Sequence, residues 1–215
     1  MASTQVNPTR MELTRLKKKL VTATRGHKLL KDKRDELMRQ FLDLARENMA
    51  LRLKVEEGIR SANKNFVIAK AGMSEQALNA ALIAPKQEVY LETGKKNVMS
   101  VDIPVFEYRT RTADENDIYS YGFAFTSGDL DGAVKSLADI LPDMLKLSET
   151  EKACQLMAAE IEKTRRRVNA LEHVIIPETK KNIKYITMKL DENERSTQIR
   201  LMKVKDMMLE DAHHY

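Results

Sequence analysis

Residues 13 to 55 read LTRLKKKLVTATRGHKLLKDKRDELMRQFLDLARENMALRLKV, and a seven-residue period runs through them. One series is Leu13, Leu20, His27, Arg34, Phe41, Asn48, Val55, continuing to Ala62 and Ala69; the other is Leu16, Ala23, Leu30, Leu37, Leu44, Leu51, Gly58. A coiled coil places two positions of each heptad on one seam, and here the second series is Leu and Ala up to Leu51. Past Val55 the apolar positions drift toward Ile59 and Phe66, a local change in winding. Asn7 and Pro8 supply a helix start, because Asn caps free N–H groups and Pro fits the first turn. At ~1.5 Å per residue, about 65 residues make a rod of roughly 100 Å.

The end of the chain repeats the pattern, with Cys154, Ile161, Val168, Ile175 in one series and Met157, Thr164, Leu171 in the other. Beyond Pro177 the seam moves to Ile183, Ile186, Leu190, Asn193, Thr197 and Val204. Pro142 and Pro177 each remove a backbone hydrogen bond and are expected to kink or interrupt the helix. Ser127 to Asp129 provide a cap and acidic first-turn residues. Two long helices separated by one insert fold back most simply as an antiparallel pair. The expected fold is all-α dominated: a long antiparallel two-helix coiled coil of the N- and C-terminal segments, with a small β-hairpin insert at the tip.

Composition agrees with this. The chain has 215 residues with only 7 Gly, 5 Pro and no Trp, too few turn residues for sandwiches, propellers or Rossmann sheets. No stretch approaches the ~18 apolar residues of a membrane span, and the first residues lack a signal-peptide core, so the chain is expected to be soluble and intracellular. Residues 1–70 carry 17 basic and 8 acidic groups, residues 71–129 carry 5 and 9, and residues 130–215 carry 15 of each. Seven of the eleven aromatics (Tyr90, Phe106, Tyr108, Tyr119, Tyr121, Phe123, Phe125) fall between 90 and 125. The chain therefore divides into an N-terminal helix (1–70), an insert (71–129), a C-terminal helix (130–208) and a tail (209–215).

Within the insert, EVYLET and VMSVDIPVFEY are β-branched and aromatic runs separated by Gly94, Lys95, Lys96 and Asn97, which predicts a hairpin over about 87–105. Pro104 puts the second run at an edge.

A search for chemistry yields no active site. Thr93-Gly94-Lys95-Lys96 lacks both the earlier Gly and the following Ser or Thr of a phosphate loop. Asp129-Leu130-Asp131-Gly132 is too short for a calcium loop. Lone Cys154 has no disulfide or metal partner and reads as a small core residue. His27 lies on the seam as a packed polar group, His173 lacks a metalloprotease-type partner, and His213 and His214 fall in the tail. Neither a cofactor nor a metal is expected. His27, Arg34 and Asn48 interrupt the seam; such polar positions fix register, though Arg34 can also snorkel outward. The runs Lys17-Lys18-Lys19 and Arg165-Arg166-Arg167 read as solvated faces, or as contacts to an acidic surface or phosphate.

The run NPTRMELTRLKKKLVTATRGHKLLKDKRDELMRQF, residues 7–41, closely resembles the opening of the D subunit of the V-type and A-type rotary ATPases. EKTRRRVNALEHVIIP, residues 162–177, resembles the family's second signature, and KLDENERSTQIRLMKVK its C-terminal helix. The resemblance implies a rotor shaft without catalysis of its own. It implies that the chain enters a hexameric head of catalytic A and B subunits with its termini deepest inside. The other end would meet the small F subunit of the central stalk and a socket subunit of the C/d type on the membrane ring. The chain would be cytoplasmic, peripheral to the membrane through the complex, without membrane insertion and without nucleic acid.

On that reading Lys31, Lys33, Arg34, Arg165, Arg166 and Arg167 are expected to contact the stator, since antiparallel folding brings the two stretches to one height. Val89, Leu91, Val98, Val101 and Ile103 of the hairpin are expected at the partner end. A basic first segment and a pI of about 9.1 leave two rivals open, a nucleic-acid-binding arm and a membrane-tethering coiled coil.

Overall fold

A computed structural model describes residues 6–112, 114–122 and 126–213. The chain runs α1 (Arg10–Gly72), α2 (Glu75–Leu82), β1 (Val89–Val98), β2 (Val101–Thr110), a 3-10 turn (Glu115–Ile118), α3 (Gly128–Ala170), a π-helical turn (Leu171–Ile175) and α4 (Ile176–His213). It divides into two compact units, one of residues 1–34 with 163–215 and one of residues 35–162. In each, the N-terminal helix pairs with a helix of the C-terminal half, and the hairpin lies between the long helices in sequence.

In the first unit α1 starts at Arg10, and its cap is Thr9 instead of Asn7. Thr9 Oγ1 accepts from the Glu12 N–H at 3.2 Å, and the acidic Glu12 sits in the first turn of α1. The antiparallel pairing shows in the Arg10–Glu194 ion pair and in the contact of His27 with Glu172. Leu16, Thr164, Val168, Thr179 and Ile186 are buried, and Leu13, Leu20, Leu30, Leu171 and Ile175 half-buried.

Pro177 does break the regular helix. The Ile176 N–H reaches back five residues to the Leu171 carbonyl, which makes the π-turn, and Pro177 follows at the start of α4 with no N–H to donate. Pro142 does not: α3 is continuous through it. Its ring is exposed, so it does not clash with the packed face of the helix.

The second unit has three apolar clusters. Val55, Ala62 and Ile140 form one, joined by Ile59 and Leu147. Here Gly58 permits a close approach, because a Cβ on it would lie 2.7 Å from Ile140 Cδ1 and Cγ1 and the Ile140 side chain would have to shift. Ala69, Leu78, Ala81 and Leu130 form the next, with Phe66, Met73, Tyr121 and Val134 around it. This cluster seats α2, a helix absent from the sequence expectation; its signal is Ser74, whose Oγ accepts from the Ala77 N–H ahead of an Ala-rich run.

The third cluster joins the hairpin to the long helices: Leu37, Val101, Met157 and Ile161 are buried together, flanked by Phe41, Leu44, Val98, Met99, Ile103 and Leu156. The hairpin turn is Met99-Ser100, not Gly94 to Asn97, which continue β1 and pair with Val105 to Asp102. The core decides this register. Ending β1 at Gly94 would take Val98, Val101 and Ile103 off Leu37 and Met157, while Lys95 and Lys96 lose nothing by staying exposed in a strand.

Both turn residues have positive φ, 51° at Met99 and 72° at Ser100, as a type I′ turn demands, and neither is Gly or Asn. Met99→Asn with Ser100→Gly is therefore expected to raise stability by about 1 kcal/mol, measured by urea denaturation of the full chain. An unchanged midpoint would show that the Met99 contact with the core offsets the turn strain.

Candidate functional site

The candidate sites are described from the helix seam outward. Among the described residues no group of three His, Cys, Asp or Glu side chains has the geometry to hold a metal ion. No described helix is long and apolar enough to cross a membrane.

On the seam of the second unit, Asn48 is half-buried and its Nδ2 donates to the buried Thr150 Oγ1 at 3.4 Å, while Thr150 Oγ1 donates to the Leu147 carbonyl at 2.9 Å. Such a pair favours one register, since a shift would cost Asn48 its hydrogen bond across the seam, while Thr150 would keep its bond to Leu147. Lys54–Asp143 at 2.7 Å and Lys146–Glu47 at 2.8 Å add charge pairs at its rim, and the Glu47 hydrogen bond raises the Lys146 pKa. Leu51 and Cys154 are half-buried. Burial, then the Glu151 charge, pushes the Cys154 thiol up, which favours a protonated packing group over a nucleophile. In the first unit His27 is half-buried, with Nε2 3.4 Å from Glu172 Oε2.

The basic stretches both lie in the first unit. Six residues on from His27 is Lys33, and six residues back from its partner Glu172 is Arg166, so antiparallel pairing brings 31–34 level with 165–167. Lys31, Arg165, Arg166 and Arg167 are exposed, and Lys33 and Arg34 half-buried. Lys33, Arg34 and Arg166 have interactions of their own within the protein. The charges offered outward are best represented by Lys31, Arg165 and Arg167.

The hairpin residues split between two faces. Val98, Val101 and Ile103 turn inward onto Leu37, Met157 and Ile161 and so serve the chain's own core. Val89 and Leu91 are exposed, and Leu91 stands opposite the exposed Tyr108. Sequence reasoning missed Tyr108 here, because only the Met99-Ser100 turn reveals which residues face each other.

At the base of the insert Tyr121 donates to Asp131 Oδ1 at 2.8 Å and packs edge-to-face on Tyr119 with ring centres 6.2 Å apart. Burial and the Asp131 carboxylate hold its pKa far above that of a free phenol. Phe123, Phe125 and His214, singled out in the sequence, lie outside the described residues.

Beyond Glu194 the seam ends: Asn193, Thr197 and Val204 are exposed, contrary to their place in the expected repeat. The reason is length. Glu194 pairs with Arg10, the first residue of α1, and α4 runs on to His213 with Ile199, Leu201, Met202, Val204, Met207, Met208 and Leu209 exposed.

Long paired helices with a polar group on their seam, a docked hairpin and an exposed apolar helix end define a coiled-coil protein. Comparison with known proteins identifies the family. Residues 12–206 match the family described as the ATP synthase D subunit. The chain is 62% identical over 215 residues, all of this chain and 97% of that protein, to the V-type ATP synthase D subunit of Acetivibrio thermocellus. It is 58% identical over 212 residues, 99% of this chain and 95% of the other, to the V-type ATP synthase D subunit of Clostridioides difficile. The chain belongs to the D-subunit family of V-type ATP synthases.

Proposed function

We propose that this chain is the central rotor shaft of a V-type ATPase or ATP synthase, transmitting torque between the ATP-hydrolysing hexamer and the membrane ion-translocating ring, and that it is itself non-catalytic. The observation that carries the proposal is the full-length kinship with the D-subunit family, in a chain whose first helix runs unbroken for 63 residues. Torque passes through contacts, so the shaft must resist bending and splaying. A packed Leu seam with the Asn48–Thr150 pin supplies that resistance.

The exposed apolar end of α4 enters the bore of the A and B subunits, and Lys31, Arg165 and Arg167 make exchangeable charged contacts with it. Long-lived apolar anchors lower on the shaft would hold it still, whereas charge contacts in water are individually weak and quickly exchanged. The small F subunit and the socket subunit take the insert end, including Val89 and Leu91, and hold the chain at the cytoplasmic side of the membrane without insertion.

Coexpression with the A, B and F subunits, followed by size-exclusion chromatography and an ATPase assay, tests this. One copy entering each hexamer with altered hydrolysis is the expected result. A chain that elutes apart from an assembled, active head would refute the reading.

A further inference from the structure

We infer that the free outer edge of β1 pairs with the same edge of a second copy, joining two hairpins into a four-stranded antiparallel sheet in the unassembled chain. The inference is independent of the rotor reading.

The edge follows from the ladder. Arg111 donates to the Glu88 carbonyl at 2.9 Å, which makes the even-numbered residues of β1 the ones bonded to β2 and turns Val89, Leu91, Thr93, Lys95 and Asn97 outward. The opposite strand confirms the alternation. Phe106, paired with Thr93, points its N–H away from β1 and donates to Glu149 Oε2 at 3.4 Å. Pro104, paired with Lys95, holds a position where no cross-strand donor is needed.

The two strands differ in burial. β2 is half-buried along Ile103 to Phe106, whereas β1 is exposed from Val89 to Asn97, so the hairpin leans on its β2 side and β1 stands clear. Among the described residues, the outward N–H groups of Leu91, Thr93 and Lys95 have no partner. An edge of this length is a template for another strand.

Charge selects the occupant. The strand reads VYLETGKKNV, acidic toward one end and basic toward the other. Two copies run antiparallel about Gly94 place Thr93 against Lys95 as bonded pairs and Glu92 against Lys96 twice, with like charges apart. At the centre Gly94 faces Gly94, where no side chain obstructs the approach. A second copy therefore matches its own edge in both hydrogen bonding and charge. The pairing covers an edge that would otherwise recruit strands indiscriminately before the chain joins a complex.

The test is the mass of the purified full-length chain by sedimentation equilibrium at low salt, alone and as variants. The wild type is expected to be a dimer that weakens with salt. Thr93→Pro removes a central outward N–H without touching the β1–β2 ladder and should give a monomer of unchanged helical circular dichroism; Thr93→Ala should remain a dimer. Glu92→Lys should weaken association by about tenfold or more, and adding Lys96→Glu should restore it. The restoration keeps the test valid if the proline variant misfolds. A monomeric wild type, or a dimer indifferent to Thr93→Pro and to the charge swap, would overturn the inference; the latter would place association at another surface, such as the apolar end of α4.

Discussion

Leu37→Ala is expected to lower the unfolding free energy by about 3 kcal/mol, the usual cost of truncating a fully buried leucine that its neighbours cannot refill. Leu37 is 0% exposed and is shared by α1, the hairpin and α3 through Val101, Met157 and Ile161. Those neighbours are held by two separate elements, β2 and α3, so collapse around the cavity would require them to move toward α1. The loss should also be local. Hydrogen exchange of Val98 to Ile103 should speed up more than that of Val55 to Ala62, which belongs to another cluster. Urea unfolding and exchange together check this; a loss under ~1 kcal/mol would mean that the hairpin repacks freely.

Reversing Lys31, Arg165 and Arg167 to Glu together is expected to cut ATP hydrolysis by the assembled head several-fold while leaving the folding of the free chain nearly unchanged. All three are exposed, so their removal breaks no buried network, and surface charges of this kind contribute under ~1 kcal/mol each to stability. On the proposed stator contact the effect is different in kind, because all three charges change sign at one height of the shaft. Attraction becomes repulsion across a narrow gap, strongest at low salt. The check is ATPase activity of head complexes carrying wild-type or reversed shaft across a salt series. Equal rates at low salt would remove these residues from the stator contact. Lys33, Arg34 and Arg166 are left out of the variant because they have interactions within the chain.

The long helices were legible because a heptad is a repeated signal, and one misplaced residue does not hide it. Leu16, Leu37, Met157, Ile161 and Val168 are all buried, and each stands in a series read from spacing alone. Single-residue signals fared less well. The turn at Met99-Ser100 carries no Gly or Asn and competes with a Gly-containing run just before it; only the packing of Val98, Val101 and Ile103 on Leu37 decides between them. That choice also sorts the hairpin into an inner and an outer face, which is why Val98, Val101 and Ile103 were grouped with Val89 and Leu91. At the far end the repeat continues through Thr197 and Val204, yet burial stops near Glu194, since the seam needs a partner helix and α1 begins at Arg10. Helix α2 was missed because a short Ala-rich segment owes its form to Leu78 and Ala81 docking on Leu130.

The central claim is that this chain turns inside the head, and single-molecule rotation tests it most directly. A Thr110→Cys variant places a reactive thiol on the exposed open end of the hairpin, while Cys154 is half-buried with its thiol pKa raised, so labelling falls on the introduced site. With the A and B subunits fixed to a surface and a probe on that cysteine, ATP should drive stepwise rotation in one direction. A probe that stays fixed, or only diffuses, while the same complexes hydrolyse ATP at full rate would contradict the account.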